Sequence, residues 1–139
     1  MSRTKLVRGV GTSFPNLPRM GNFRKLGTWQ RAHKLALQVY RLTKGFPDHE
    51  RYGLIAQLRR AAVSVVSNIA EGAGRRNDRE LARFLSIARG SVRELECQLL
   101  LSRDLGYLKS DDWSTLDAAS QEVSRMLNAL MRQVRATAS

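Results

Sequence analysis

Gly72-Ala73-Gly74-Arg75-Arg76, with Arg79 three residues further on, is the stretch of this 139-residue sequence that comes nearest to a phosphate-handling motif. Glycines let backbone N–H groups approach an anion, and guanidinium groups meet phosphate oxygens in a planar fork. A nucleotide-binding P-loop, however, follows a strand and closes on Gly-Lys-Ser/Thr. Here an apolar helical pattern precedes the glycines and no lysine follows. The glycines therefore read as a helix stop, and Arg75, Arg76 and Arg79 as a cluster able to hold a backbone phosphate.

Other chemistry finds few residues to work with. His33 and His49 are the two histidines, and neither has a carboxylate three residues away on either side, so the Glu-x-x-His pairing of di-iron bundles is missing. One cysteine and two histidines do not make a zinc site. Cys97 lies beside Glu94 and Glu96, whose charge disfavours a thiolate, and it reads as a packed small residue. The sequence predicts a protein that is not an enzyme and takes no metal or cofactor. As the sole cysteine it forms no internal disulfide, which suits a reducing cytoplasm. No apolar run is long enough to cross a bilayer, and no apolar segment follows the basic N-terminus as a secretory signal requires.

The charge is large and unevenly placed. The chain carries +12, and residues 1–45 hold ten of the cations with no Asp or Glu (Arg3, Lys5, Arg8, Arg19, Arg24, Lys25, Arg31, Lys34, Arg41, Lys44), leaving +2 for the other 94 residues. Such asymmetry points to an anionic partner, most simply RNA or DNA. The cations expected to carry the contact are Arg24, Lys25, Arg31, Lys34, Arg75, Arg76 and Arg79. Trp29, Tyr40 and Tyr52 are scattered in sequence and give no sign of a base-stacking platform, so binding is expected to be electrostatic and tolerant of sequence.

The elements that hold these residues are helices. Residues 1–27 contain Gly9-Val10-Gly11, Phe14-Pro15-Asn16 and Leu17-Pro18 and no sustained period, which reads as a flexible basic tail. Met20 lies within it. Translation starting there would remove Arg3, Lys5, Arg8 and Arg19 and lower the charge from +12 to +8, a proposal that an intact mass would test. From Thr28, expected as an N-cap, a 3.6-residue period runs through Trp29, Ala32, Leu35, Ala36, Val39 and Leu42. Gly45-Phe46-Pro47 ends that helix. Asp48 is expected to cap a second helix over about 49–72, with the stripe Leu54, Leu58, Ala61/Ala62, Val65 and Ile69. Asn77-Asp78 opens a third over about 79–105, with Leu81, Phe84/Leu85, Ala88, Val92, Leu95, Leu99 and Ser102 inward and Gly106 as its C-terminal glycine. Ser110 is expected to cap a fourth, with Leu116, Ala119, Val123, Met126/Leu127, Leu130 and Val134. Strand signals are absent. The fold class is all-α, an up-down-up-down antiparallel four-helix bundle over residues 28–137.

The second helix carries a further stripe: Gln57, Arg60, Ser64, Asn68 and Glu71, spaced 3, 4, 4 and 3, lie on one face beside the apolar one. Ala61, Ser64 and Ser67 are short, where a solvated face would carry Glu, Lys and Gln. In an antiparallel hairpin turning near residues 75–77, Arg60 falls within reach of Glu94 or Glu96, Ser64 faces Gly90 and Ser91, and Glu71 lies near Arg83. Gln57, Arg60, Ser64, Asn68, Glu71 and Glu94 are therefore the expected surface for self-association.

Several of these segments together carry a resemblance. Trp29-Gln30-Arg31-Ala32-His33, Phe46-Pro47, Tyr52-Gly53-Leu54, Gln57-Leu58-Arg59-Arg60-Ala61-Ala62, Ser67-Asn68-Ile69-Ala70-Glu71-Gly72, Phe84-Leu85-Ser86-Ile87-Ala88-Arg89-Gly90-Ser91 and Leu105-Gly106-Tyr107-Leu108 resemble the bacterial four helix bundle protein family. Its members were first noticed as reading frames in intervening sequences of 23S ribosomal RNA genes. The likeness covers about residues 24–135. It implies a bundle with no established enzymatic activity. The family is similar to the accessory variability protein of diversity-generating retroelements, which forms a pentameric ring and works with a reverse transcriptase. By resemblance this chain is expected to be a ring-like homopentamer, with a reverse transcriptase as a possible protein partner. Two functions follow: a self-assembling bundle that binds nucleic-acid backbone, or an oligomeric scaffold for a protein partner.

Overall fold

A computed structural model describes residues 22–138. Met20 and the cations Arg3, Lys5, Arg8 and Arg19, for which a tail was expected, lie outside the described residues. Four helices follow a short 3-10 turn at Phe23–Lys25: α1 (Gly27–Thr43), α2 (Leu54–Ala73), α3 (Asp78–Asp104) and α4 (Ser110–Ala138). A second 3-10 turn occupies Asp48–Glu50, and no strand occurs among the described residues. Each helix packs on the next, and α1 closes the square against α4.

The core is the set of inward stripes read from the sequence. Leu35, Val39, Leu58, Val65, Ile69, Leu81, Leu85, Val92, Leu95, Leu99, Leu116 and Leu127 are almost wholly withdrawn from solvent. Each such aliphatic side chain contributes about 1.5–3 kcal/mol by leaving water, which is why four helices with little intrinsic preference for one another settle into one arrangement. Helices α2 and α3 approach closely at Gly72, where an added Cβ would stand 3.0 Å from Phe84 Cβ and 3.1 Å from Leu81 Cδ1.

The helix starts differ from the expected ones at three places. Thr28 does not cap α1; it is buried inside the first turn, and Leu26 occupies the cap position with no side-chain hydrogen bond. Burial of the Leu26 side chain sets the start of this helix. The residues before Thr28, expected as tail, therefore include the 3-10 turn and Leu26, both packed on the bundle. Asp48 does not cap α2 either. It begins the 3-10 turn, and α2 starts six residues later, at Leu54. The carboxylate of Glu50 supplies the missing cap, accepting from Leu54 N–H at 3.0 Å. The third place is α4, where Ser110 is already helical and Lys109 O accepts the first bond, from Trp113 N–H at 2.8 Å, so that Ser110 is not the cap. Elsewhere the local signals hold. Asn77 Oδ1 accepts from Glu80 N–H at 2.8 Å to cap α3. Gly106 turns the chain with φ of 82°, a conformation that favours glycine.

Candidate nucleic-acid interface

The expected phosphate contacts fall into two groups. Arg24 and Lys25 stand on the first 3-10 turn and Arg31 and Lys34 on α1; all four are exposed. Arg75, Arg76 and Arg79 cluster at the α2–α3 turn. The α1–α2 pairing, in which Arg59 near the start of α2 meets Tyr40 and Thr43 near the end of α1, runs antiparallel. It directs the first 3-10 turn toward the end of the bundle that holds the α2–α3 turn.

The seven cations are not equally free. Arg75 pairs with Glu71 one helical turn earlier and lies over the Phe84 ring at 4.8 Å, with Arg83 on the same ring at 4.5 Å. Arg31 reaches Glu122 of α4 at 3.9 Å, and that carboxylate is also taken by Arg125. Lys25, Lys34, Arg76 and Arg79 have no carboxylate at ion-pair distance among the described residues. Between Gly27 and Pro47 the chain holds Arg31, Lys34, Arg41 and Lys44 and no acid, so every charge that α1 itself contributes is positive.

Arg31, Lys34 and Gln38 of α1 face Thr115, Ala119 and Glu122 of α4 across a charged groove of about 120 Å³, open on one side. On the opposite edge of α1 lies a second, apolar groove lined by His33, Ala36, Leu37, Tyr40, Val63 and Val66. Leu37, Tyr40 and Val63 are 54%, 40% and 43% exposed there.

Aromatic residues that look scattered in the sequence are partly gathered by the fold. Trp29 stacks on His33 at 4.7 Å between centroids and meets Phe23 at 5.0 Å, with Arg24 over the Phe23 ring. The i, i+4 spacing of Trp29 and His33 on a helix was the available signal. Tyr52 stays apart, 89% exposed in the turn before α2. Arg59, which the sequence singles out for no role, is a structural cation in the fold: its Nε donates to Thr43 Oγ1 at 2.9 Å, its Nη2 donates to Tyr40 O at 3.3 Å, and it covers the Tyr40 ring at 4.6 Å.

The residues expected for self-association divide in the same way. Ser64 meets Ser91 at 2.8 Å, oxygen to oxygen, across the α2–α3 seam, the neighbourhood expected from the hairpin. Asn68 Nδ2 donates to Ser64 O at 2.8 Å and to Ser64 Oγ at 3.1 Å. These half-buried polar groups are thus satisfied within one protomer. Gln57, Arg60, Glu71 and Glu94 are exposed on the outer sides of the two helices. Neither cross-helix ion pair expected of this face forms. Glu71 pairs with Arg75 in place of Arg83, which takes Glu80 at 3.4 Å. Glu96 takes Arg93 at 3.8 Å in place of Arg60. Partners one turn away on the same helix outcompete those across the seam because less chain must be ordered to meet them. Burial raises the Glu96 carboxyl above the usual glutamate range, opposed by Arg93 and reinforced by Asp117.

No group of three or more His, Cys, Asp or Glu side chains could hold a metal ion among the described residues. None of their helices is long and apolar enough to cross a membrane.

Fold and charge together define a strongly basic, all-helical four-helix bundle. The family model of the 23S rRNA-intervening sequence protein matches residues 24–129, and the chain belongs to that family. The match begins at Arg24, inside the 3-10 turn that packs on the bundle. A crystal structure of a protein of unknown function from the S23 ribosomal protein family of Bacteroides thetaiotaomicron is similar, with a TM-score of 0.68. The likeness covers 75% of this chain and 97% of that one at 18% sequence identity, and so shows the fold alone. Among curated proteins none matches the sequence.

Proposed function

We propose that the protein is a non-enzymatic, self-associating bundle that binds the backbone of RNA or DNA. The observation that carries the reading is the segregation of charge: ten cations and no acid over residues 1–45. Over the described residues of that segment the cations stand exposed, and Lys25 and Lys34 lack a carboxylate partner among the described residues. Arg76 and Arg79, likewise exposed and without an ion-pair partner among the described residues, extend the positive surface around one end of the bundle. A charge pattern of this kind attracts polyanions over distances of about a Debye length and needs no base contacts.

The test is a salt series with labelled RNA and DNA oligonucleotides. Binding should weaken linearly in log[salt], by about 0.7–0.9 per phosphate neutralised. Replacing Arg76 and Arg79 by alanine should make the slope shallower by roughly one for each contact removed, uniformly across sequences. Absence of binding to any nucleic acid at low salt would overturn the reading.

Self-association through the outer sides of α2 and α3, up to a pentameric ring, rests on the family resemblance and on the short side chains there. Light scattering tests it: a monomeric mass at tens of micromolar excludes it. A second reading, an oligomeric scaffold for a protein partner, draws support from the exposed apolar groove at Leu37, Tyr40 and Val63. A pull-down with and without nuclease separates the two, since nuclease removes only partners bridged by nucleic acid.

A further inference from the structure

The two grooves lie on opposite edges of one helix, and their chemistry is complementary. The edge of α1 facing α4 presents Arg31, Lys34 and the uncharged Gln38, with Thr115 of α4 opposite as a further uncharged hydrogen-bonding group. The edge facing α2 presents His33, Leu37 and Tyr40 over an apolar floor. Between them the outermost surface of α1 carries Arg41 and no acid. A helix is about 10–12 Å across with its side chains, so the two edges stand apart by a distance comparable to one nucleotide from phosphate to base. Arg31 to Gln38 is seven residues, a rise of about 10 Å.

We propose that α1 is the seat of single-stranded nucleic acid, with phosphates along the Arg31–Lys34 edge and bases against His33, Leu37 and Tyr40. The proposal rests on the nucleic-acid reading above and narrows it from any backbone to unpaired strands on one helix. A duplex satisfies the basic edge but keeps its bases stacked inside, out of reach of the apolar edge. A single strand can turn its bases outward onto a ring and an apolar floor, which bind them with little regard to sequence. The charge selects the occupant of the apolar groove: an apolar peptide would leave the surrounding cations without counter-charge. Glu122 is the one acid in the charged groove, and Arg31 and Arg125 both offset it.

The test compares a labelled 15-nucleotide single strand, a hairpin duplex and an abasic strand of the same length. Fluorescence anisotropy is read on the full chain and on three variants, with molar mass and thermal midpoint measured alongside. The wild type should bind the single strand about tenfold more tightly than the abasic strand, the effect of one base contact. His33→Ala combined with Leu37→Ala should shrink that difference severalfold, Tyr40 being retained, while leaving abasic binding unchanged. Lys34→Glu should weaken all three ligands, and Glu122→Gln should tighten all three, an opposite sign that loss of folding does not produce. If no ligand binds the wild type, the nucleic-acid reading itself falls. If wild-type binding responds to Arg76 and Arg79 but to neither edge of α1, that reading stands and the α1 site is wrong. A drop in molar mass for the His33/Leu37 variant would assign the apolar groove to a second copy and overturn the proposal.

Discussion

The hydroxyl of Tyr107, in the α3–α4 turn, donates to Glu50 Oε2 at 3.0 Å, while the other oxygen of that carboxylate caps α2 through Leu54 N–H. Residues 57 apart in sequence thereby tie the two turns at one end of the bundle together. His49 Nε2 stands 3.3 Å from the same hydroxyl, and Phe46 packs against the Tyr107 ring. The α2 cap holds the Glu50 carboxyl below the usual glutamate range, with Tyr107 adding to the effect and His49 a smaller amount. Its hydrogen bond to Glu50 in turn raises the tyrosine. A carboxyl lowered in the folded state adds stability above the ordinary glutamate pKa and loses it as pH falls through the lowered value. Tyr107→Phe should therefore unfold at a lower temperature than the wild type at neutral pH, and the gap should close in acid. Thermal melts across pH 2–7 check this; a gap independent of pH would mean that ring packing, not the carboxylate, holds the turn.

Gly72 offers a prediction in which two effects oppose each other. Alanine is favoured over glycine by about 1 kcal/mol in a helix interior and by less at Gly72, the last residue but one of α2. Yet the new methyl would sit 3.0 Å from Phe84 Cβ and 3.1 Å from Leu81 Cδ1, and overpacking a filled core costs roughly 1–3 kcal/mol. Phe84 Cβ cannot move without α3, so the crowding wins. Gly72→Ala should be destabilised by about 1 kcal/mol in urea unfolding. A stabilised variant would mean that α3 shifts easily and that the close approach is incidental.

The inward stripes of α2, α3 and α4, the Asn77 cap and the Gly106 turn were legible because each follows from neighbours three or four residues away. The start of α2 was not. Asp48 has the composition of a cap, but the cap is Glu50, and α2 begins only after the Gly53 turn. The start of α1 was missed for a related reason: Leu26 anchors it through burial, which no local pattern around Thr28 announces. The Ser64–Ser91 contact was readable from hairpin geometry alone. The ion pairs placed on the same face were not, since geometry says who can meet and not which of two nearby acids wins. The Phe23–Trp29–His33 cluster required the 3-10 turn to fold back onto α1.

Arg59 separates a cation used for folding from those available to a ligand. Its guanidinium bonds Thr43 and Tyr40 and covers the Tyr40 ring, joining the end of α1 to α2. Lysine keeps the charge but lacks the planar fork that makes these contacts together. Arg59→Lys should cost about 1–2 kcal/mol of stability, from one or two hydrogen bonds and part of a cation–π contact, and should leave the salt slope of nucleic-acid binding unchanged. Chemical denaturation and the salt series together check both halves. A shallower slope would show that Arg59 contacts phosphate after all.

The N-terminal cations provide the last prediction. Residues 1–19 carry Arg3, Lys5, Arg8 and Arg19 and no acid. A chain beginning at Met20 has a net charge of +8 in place of +12 and retains every cation of α1 and of the α2–α3 turn. Each cation that neutralises a phosphate contributes about 0.7–0.9 to the salt slope, depending on strandedness. If all four contact the backbone, the shortened chain should bind with a slope shallower by about 3 and lose affinity mainly at low salt. The preference for single over abasic strands should survive the truncation, because it is assigned to His33, Leu37 and Tyr40. An unchanged slope would place all phosphate contacts at Arg24 and beyond. Loss of the single-strand preference would move the base contacts off α1 and into the first nineteen residues.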